Sequence, residues 1–341
     1  MIKEILDLSK ITPLNRMQIE HLVHLAGKFS SRILFEHENR TINGKSMLGL
    51  LSMGITGGKP VILTVEGEDE EIAAQEIKRL LDSGVAPAKE ANDAMALMQI
   101  IKDRYTLLLP DNLVGIYLHG SLAAGCFQWD VSDIDFLVVV RKSIPVEKKI
   151  ALVECLYALR RDAPPKGFEM SVLLEENCRA PIFPVPYELH FSPRWMQEYE
   201  RSPRGFCERM HGEDMDLTAH ILNLHTFGVP VLGPSVARVF GQVKREDALC
   251  AIRQDTADSG EHLHEQPIYY VLNLCRALAY KRDQLVLSKK QGGEWGLKNL
   301  SHAHQAVIQA ALNAYQSGRD MFYDRGQAED FCYDVMEELN G

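Results

Sequence analysis

No apolar run in the chain approaches the roughly 20 residues needed to span a bilayer, which argues against a helical membrane protein. The opening Met1-Ile2-Lys3-Glu4-Ile5 lacks the apolar stretch and cleavage site of a secretory signal, so a cytoplasmic location and no membrane partner are expected. The cysteines, seven in number, are scattered (Cys126, Cys155, Cys178, Cys207, Cys250, Cys275, Cys332) and form no CxxC pair. That argues against a disulfide frame or a zinc site and leaves reduced thiols as the expectation. His262/His264 and His302/His304 form HxH pairs, but their neighbours read as loop or helix and no nearby cysteine completes a ligand set. Basic residues are also short, 37 against 47 acidic, for a net charge of -10. Affinity for nucleic acid rests on phosphate neutralisation, so no nucleic-acid partner is expected, whereas an acidic cleft would suit a cationic substrate. Internal repeats and low-complexity tracts are absent.

What remains is an ordinary globular composition, 46% hydrophobic and 25% charged, in 341 residues, a length that implies two or three domains. Residues 1–86 alternate short strands and amphipathic helices. Lys3 to Lys10 is strand-like; Ile19, Leu22, Val23 and Ala26 recur at helical spacing, predicting a helix over 16–28. Ser30 to Glu38 and Pro60 to Glu66 alternate as half-buried strands, and Asp69 to Leu81 reads as a helix with an acidic start. The order βαββαβα predicts an α+β domain with helices on one face of a sheet. Val85 to Ala88 reads as a linker. Residues 90–235 begin with a helix near Asn92 to Leu108. Strand Val114 to His119, a loop from Gly120 to Ser132, strand Ile134 to Val140, a helix near Val146 to Arg160 and strand Phe168 to Leu174 follow, predicting an α/β core. Pro181, Pro184 and Pro186 mark loops. Residues 236–341 show almost only helical periodicity, with Ile268 to Lys281 and His304 to Gly318 as long helices of a bundle.

The chemistry gathers after His119. A hydrophobic strand ends at Gly120, where the missing side chain lets backbone amides approach a phosphate, and Ser121 adds a hydroxyl donor. Asp133 and Asp135 stand two apart at the head of the next strand, so both carboxylates project from one face while Ile134 turns into the core. Carboxylates about 5 Å apart repel by about 3 kcal/mol at an effective dielectric of about 20, a cost that a divalent cation removes. Oxygen ligands favour Mg2+ or Mn2+. Glu169, inside the apolar strand Gly167-Phe168-Glu169-Met170-Ser171-Val172-Leu173, is the candidate third carboxylate and general base.

At these residues the chain resembles the nucleotidyltransferase superfamily with its GS…DxD signature. It is most similar to bacterial aminoglycoside adenylyltransferases of the streptomycin/spectinomycin type, over about residues 95–330. Tyr187-Glu188-Leu189, Asp214-Met215-Asp216-Leu217 and Val231-Leu232-Gly233-Pro234 extend the match. So do Val271 to Arg276 and Ser288 to Trp295. The resemblance implies ATP as co-substrate, Asp133, Asp135 and Glu169 as catalytic metal ligands, and Gly120, Ser121, Arg276 and Lys289 as nucleotide-binding residues. The residues that contact antibiotic in that family precede Val271. Here that stretch, Asp255 to Gln266, carries His262, His264 and Glu265 but no tryptophan, so the resemblance reaches nucleotide chemistry and not streptomycin recognition.

Ile42 to Gly54 and Val65 to Asp69 make the first segment similar to HPr-type phosphocarrier domains of the sugar phosphotransferase system, an open-faced β-sandwich. The position of the phosphoacceptor histidine, after Leu14, is Asn15, with Arg16 beside it; His21 and His24 lie further along the first helix. Asn15 cannot form a phosphohistidine, so phosphotransfer by this domain should be lost. The family's regulatory serine falls on Ser46, either a phosphosite at a helix start or simply its cap. The expectation is therefore a multidomain α+β protein: an HPr-like domain, an α/β nucleotidyltransferase domain and a helical bundle. It would transfer AMP from ATP to a hydroxyl of a small molecule, an aminoglycoside-like compound among them. The alternatives are a protein acceptor, or a regulatory protein that docks phosphotransferase-system partners through residues 1–86.

Overall fold

Residues 2–6, 16–27, 29–37, 40–47, 49–50, 61–67, 69–82 and 89–341 are described by the computed structural model. They fall into two units, Met1–Asn92 and Asp93–Gly341. In the first, strands β1 (Ile2–Leu6), β2 (Arg32–His37), β3 (Arg40–Asn43) and β4 (Val61–Glu66) form a sheet in the order β1-β4-β2-β3. Every pairing is antiparallel. Alternation decides which face is covered: Ile33 and Phe35 of β2 and Val61, Leu63 and Val65 of β4 are buried. Against them pack Ile19, Leu22 and Ala26 of helix α1 (Arg16–Gly27) and Ala73, Ala74, Ile77 and Leu81 of helix α2 (Glu70–Asp82). Asp69 ties the head of α2 to the turn before β2. Its carboxylate accepts from the Ser30 and Ser31 backbone N–H groups at 2.6 and 2.8 Å and from both serine hydroxyls. These donors, led by the Ser31 hydroxyl, hold its pKa well below the usual carboxylate range.

The second unit is built on helix α3 (Lys89–Leu108) and a five-stranded sheet in the order β11-β5-β6-β7-β9. Its strands are β5 (Leu113–Leu118), β6 (Ile134–Val140), β7 (Phe168–Leu174), β9 (Leu189–Phe191) and β11 (Val229–Leu232). Of its pairings only β6–β7 is parallel, the crossover being made by helix α5 (Val146–Leu159). The loop expected from Gly120 to Ser132 opens with one helical turn, α4 (Gly120–Ala123). The proline-rich stretch expected to be all loop contains a short strand, β8 (Val185–Tyr187), paired with β10 (Gly212–Asp214). Pro186 sits in a two-stranded ribbon there, where its missing N–H costs little.

Helices cover both faces of the main sheet, which is why β6 reads as a nearly unbroken apolar run. On one face Tyr117, Leu137, Val139 and Leu173 pack on Leu217, Ile221 and Leu224 of helix α6 (Asp216–Phe227). On the other, buried Tyr105 of α3 lies against Phe136 and donates its hydroxyl to the Leu152 carbonyl at 3.0 Å. Helix α7 (Arg245–Asp255) leads into a bundle whose centre is α8 (Pro267–Asp283), flanked by α9 (Lys289–Asn299), α10 (Gln305–Ser317) and α11 (Arg325–Asn340). At Gly293 in α9 a Cβ would come within 2.6 Å of Leu312, so only glycine allows this approach of helices. Among the described residues no helix is long and apolar enough to cross a membrane.

Candidate active site

Strand β5 delivers the chain to His119, whose N–H donates to the Asp135 carbonyl at 3.0 Å. Gly120 then turns with φ of +64°, and its N–H donates to Asn223 Oδ1 of α6 at 3.2 Å. A Cβ here would collide with Asp135 Oδ2. Gly120→Ala is therefore expected to displace Asp135, with a loss of about 1 kcal/mol or more of stability and of catalysis. Thermal unfolding and turnover on the same preparation check this. Directly after the turn, the Ser121 hydroxyl is buried with no hydrogen-bond partner among the described residues. A buried hydroxyl in that state is costly unless a ligand satisfies it.

The carboxylates converge on the same place. Ile134, fully buried, anchors the head of β6 and leaves Asp133 and Asp135 on the opposite side. Across the parallel pairing Asp135 stands level with Glu169. Oxygens of Asp133, Asp135 and Glu169 all lie within 4.8 Å of one another. Burial, then the charges of Asp133 and Glu169, push the Asp135 pKa well up. Burial also raises Glu169, with Asp133, Asp216 and Asp214 adding to it and His220 opposing. Three hard oxygen donors that repel one another fit a divalent cation, and Mg2+ or Mn2+ suits that donor set.

Sequence reasoning missed what surrounds this trio. His220 on α6 bonds Asp216 one turn earlier, Nε2 to Oδ2 at 3.2 Å. Burial alone would lower the His220 pKa, but Asp216, Glu169 and Asp135 outweigh it and push it up to about 10. Its ring lies 4.6 Å from that of His119, whose pKa burial and then this neighbouring charge push well down. The residues of α6 that do this look, in sequence, like the polar stripe of any surface helix. Lys166, in the turn before β7, also lines the cleft and was not singled out.

On the facing bundle, Arg276 is braced by Nε donation to the Leu287 carbonyl and by donation to Asn273 Oδ1, both at 2.8 Å. Gly292 stays small because a Cβ would come within 2.5 Å of the Arg276 stem. Lys289 opens α9, which is held by a capping box between Ser288 and Gln291. Gly120, Ser121, Asp133, Asp135, Glu169, Arg276 and Lys289 thus line one cleft of about 370 Å³. A second lobe continues past the carboxylates and is lined by His190, Arg194, Trp195, Asp214 and Asp216.

Other sequence candidates lie elsewhere. His262 pairs with Glu265 at 3.0 Å, His264 with Glu329 at 2.8 Å and His304 with Asp334 at 3.0 Å. Glu188 is structural: it accepts from the Ser143 hydroxyl and the Ile144 N–H. Asn15 lies outside the described residues, as does the expected linker. In the N-terminal unit the Ser46 hydroxyl accepts from the Gly49 N–H at 3.1 Å, a capping geometry.

The N-terminal segment is 32% identical over 83 residues to the phosphocarrier protein HPr of Borreliella burgdorferi, covering 24% of this chain and 96% of HPr. The chain belongs, through this segment, to the HPr family. The HPr-like protein Crh of Bacillus subtilis is 29% identical over 77 residues, 23% of this chain and 91% of Crh. The family described as "PTS HPr component phosphorylation site" matches residues 17–83 of this HPr domain. Residues 238–338 match the family described as "Aminoglycoside adenylyltransferase, C-terminal domain". In fold, the chain is similar to a spectinomycin adenyltransferase from Enterococcus faecialis, solved with ATP and spectinomycin. The TM-score is 0.62 at 16% identity, covering 72% of this chain and 99% of that one. An HPr-family domain is fused here to a unit that has the fold of that spectinomycin adenyltransferase and matches the aminoglycoside adenylyltransferase model over residues 238–338.

Proposed function

We propose that the chain transfers AMP from ATP to a hydroxyl of a small molecule and releases pyrophosphate. The observation that carries this is a cleft in which three converging carboxylates share the space with Arg276, Lys289 and a serine hydroxyl that no described residue satisfies. Ser121 and the amides beside Gly120 would donate to phosphate oxygens, and Arg276 with Lys289 would hold the triphosphate. Glu169 takes the proton of the acceptor hydroxyl as its oxygen bonds to the α-phosphorus and the bond to pyrophosphate breaks. A Mg2+ or Mn2+ ion held by Asp133, Asp135 and Glu169 would supply Lewis-acid charge for that displacement. The second lobe, where Asp133, Glu169, Asp214 and Asp216 outnumber Lys166 and Arg194, would favour a cationic acceptor such as an aminoglycoside-like compound. Pyrophosphate release with ATP and magnesium, measured across an acceptor panel, tests the proposal. Release that ignores the acceptor would sink it.

We take 1–86, 90–235 and 236–341 as the functional domains, in a cytoplasmic protein. The HPr domain is proposed as a docking module for a phosphotransferase-system protein. With asparagine at position 15 it should accept no phosphate from that system's enzyme I, since an amide nitrogen is no nucleophile at neutral pH. The Ser46 hydroxyl accepts from the Gly49 N–H, and a phosphate added there would be offered the same donor. Incubation with an HPr serine kinase and ATP is expected to add one phosphate to wild type and none to Ser46→Ala, read by intact mass. No mass gain on wild type would leave Ser46 as a cap only.

A further inference from the structure

Lys289 lies half-buried among like charges. Burial, then Arg276 and Lys166, push its pKa down from the ordinary lysine value, with Asp133 and Asp135 opposing. Such an ammonium, on a four-carbon stem, would gain by swinging away into water. Among the described residues, what faces it is a ring: Nζ sits 4.9 Å from the centroid of Tyr269. Tyr269 belongs to the first turn of α8, and its hydroxyl donates to Oδ1 of Asp255, the last residue of α7, at 2.9 Å. The neighbouring Tyr270 ring packs edge-on against it, centroids 5.1 Å apart at 86°, and donates its own hydroxyl to Asp258 at 3.1 Å. The ring is thereby fixed on two sides.

We infer, on the reading of Lys289 as a triphosphate ligand, that Tyr269, oriented by Asp255, is the positioning residue that holds Lys289 in the cleft. The chemistry of the choice is specific. A carboxylate in the same place would neutralise the ammonium and compete with phosphate for its three donors. An aromatic face attracts the cation through its quadrupole and leaves all three N–H groups available. Donation of the phenol hydrogen to Asp255 leaves more electron density on the ring, which strengthens that attraction. The two helices that carry Tyr269 and Asp255 converge on the cleft, so the arrangement exists before nucleotide enters.

The test measures ATP affinity calorimetrically on the full chain with magnesium and no acceptor, alongside steady-state kinetics. Lys289→Ala and Tyr269→Leu are each expected to weaken ATP about tenfold, and the double variant no further. Tyr269→Phe, which keeps the ring, should hold ATP within about threefold of wild type, as should Asp255→Asn, and their combination should match either alone. The acceptor KM stays put in all of them. An unchanged ATP affinity in Tyr269→Leu with a raised acceptor KM would overturn the inference and make the ring an acceptor surface. Additive losses from Lys289→Ala and Tyr269→Leu would overturn it too. Unchanged ATP affinity in Lys289→Ala would instead remove the triphosphate reading on which it stands. Should Tyr269→Leu fail to fold by circular dichroism, the Tyr269→Phe and Asp255→Asn pair decides, additive losses again counting against it.

Discussion

Asp133→Asn and Asp135→Asn are expected to lose AMP transfer by more than about 10³-fold, beyond what removal of one charge-stabilising donor costs. The same substitutions should stabilise the metal-free protein. The three carboxylates approach within 4.8 Å, and at that range repulsion is about 3 kcal/mol for each pair at an effective dielectric of about 20. Relief of part of this should raise the unfolding midpoint in chelator by about 2–6 °C. The pH dependence follows from the same groups. Asp135 and Glu169 have raised pKa values in the folded state, so between their unfolded and folded values the folded chain binds more protons. Their contribution to stability is therefore fully present below the ordinary carboxylate pKa and is lost as pH rises through the raised values. Asp69 and Asp216, whose values are lowered, contribute with the opposite sign, so the difference between wild type and Asp135→Asn isolates the trio. In chelator that difference should grow with pH, and in magnesium it should shrink or change sign, because the metal stabilises the protein that still binds it. A variant with full activity, or one less stable than wild type without metal, would contradict this electrostatic account.

Glu169→Gln is expected to keep its fold and its ATP affinity and to lose about 10²- to 10⁴-fold in turnover, the usual range for a general base. The amide preserves the size of the side chain and its place opposite Asp135 on the parallel strand. What it removes is the site for the proton of the acceptor hydroxyl. Loss should therefore appear in kcat with the ATP KM nearly unchanged, and the acid limb of the wild-type pH profile should disappear. An unchanged kcat would make Glu169 a strand residue that happens to face the cleft.

The parts of the site that lie on strands were legible because strand geometry is periodic. Asp133, Ile134 and Asp135 alternate faces in any strand, and a glutamate inside the apolar run of β7 has no reason to be there unless it is bound. Of the parts on helices, Arg276 and Lys289 came only through the family resemblance, and the others were not legible. Asp216 and His220 are one turn apart on α6, and nothing in that spacing tells that the helix packs on a face of the sheet rather than lying in water. Asp255 and Tyr269 are on different helices, so their juxtaposition depends on how α7 enters the bundle. The stretch that corresponds to the resembled family's antibiotic contacts points in sequence to His262, His264 and Glu265, yet these pair with one another or with α11, and it is Asp255, Gln266 and Tyr269 that line the cleft. In the N-terminal unit, two-residue alternation in β2 and β4 and the apolar stripe of α2 made the sheet and its covered face readable. The short strand through Pro186 was hidden because proline is read as a loop signal, and only its ribbon position makes it tolerable.

AMP transfer from ATP to a small hydroxyl acceptor is the reaction proposed for the carboxylate cleft. Its most direct test is mass spectrometry of a panel of cationic hydroxylated compounds, each incubated with ATP, magnesium and either wild type or Asp133→Asn, with pyrophosphate measured in parallel. The expected result is at least one acceptor made heavier by one AMP, in equal amount to the pyrophosphate released, and neither product with Asp133→Asn or in chelator. Adduct formed at the same rate by Asp133→Asn, or ATP consumed with no adduct on any acceptor, would contradict it.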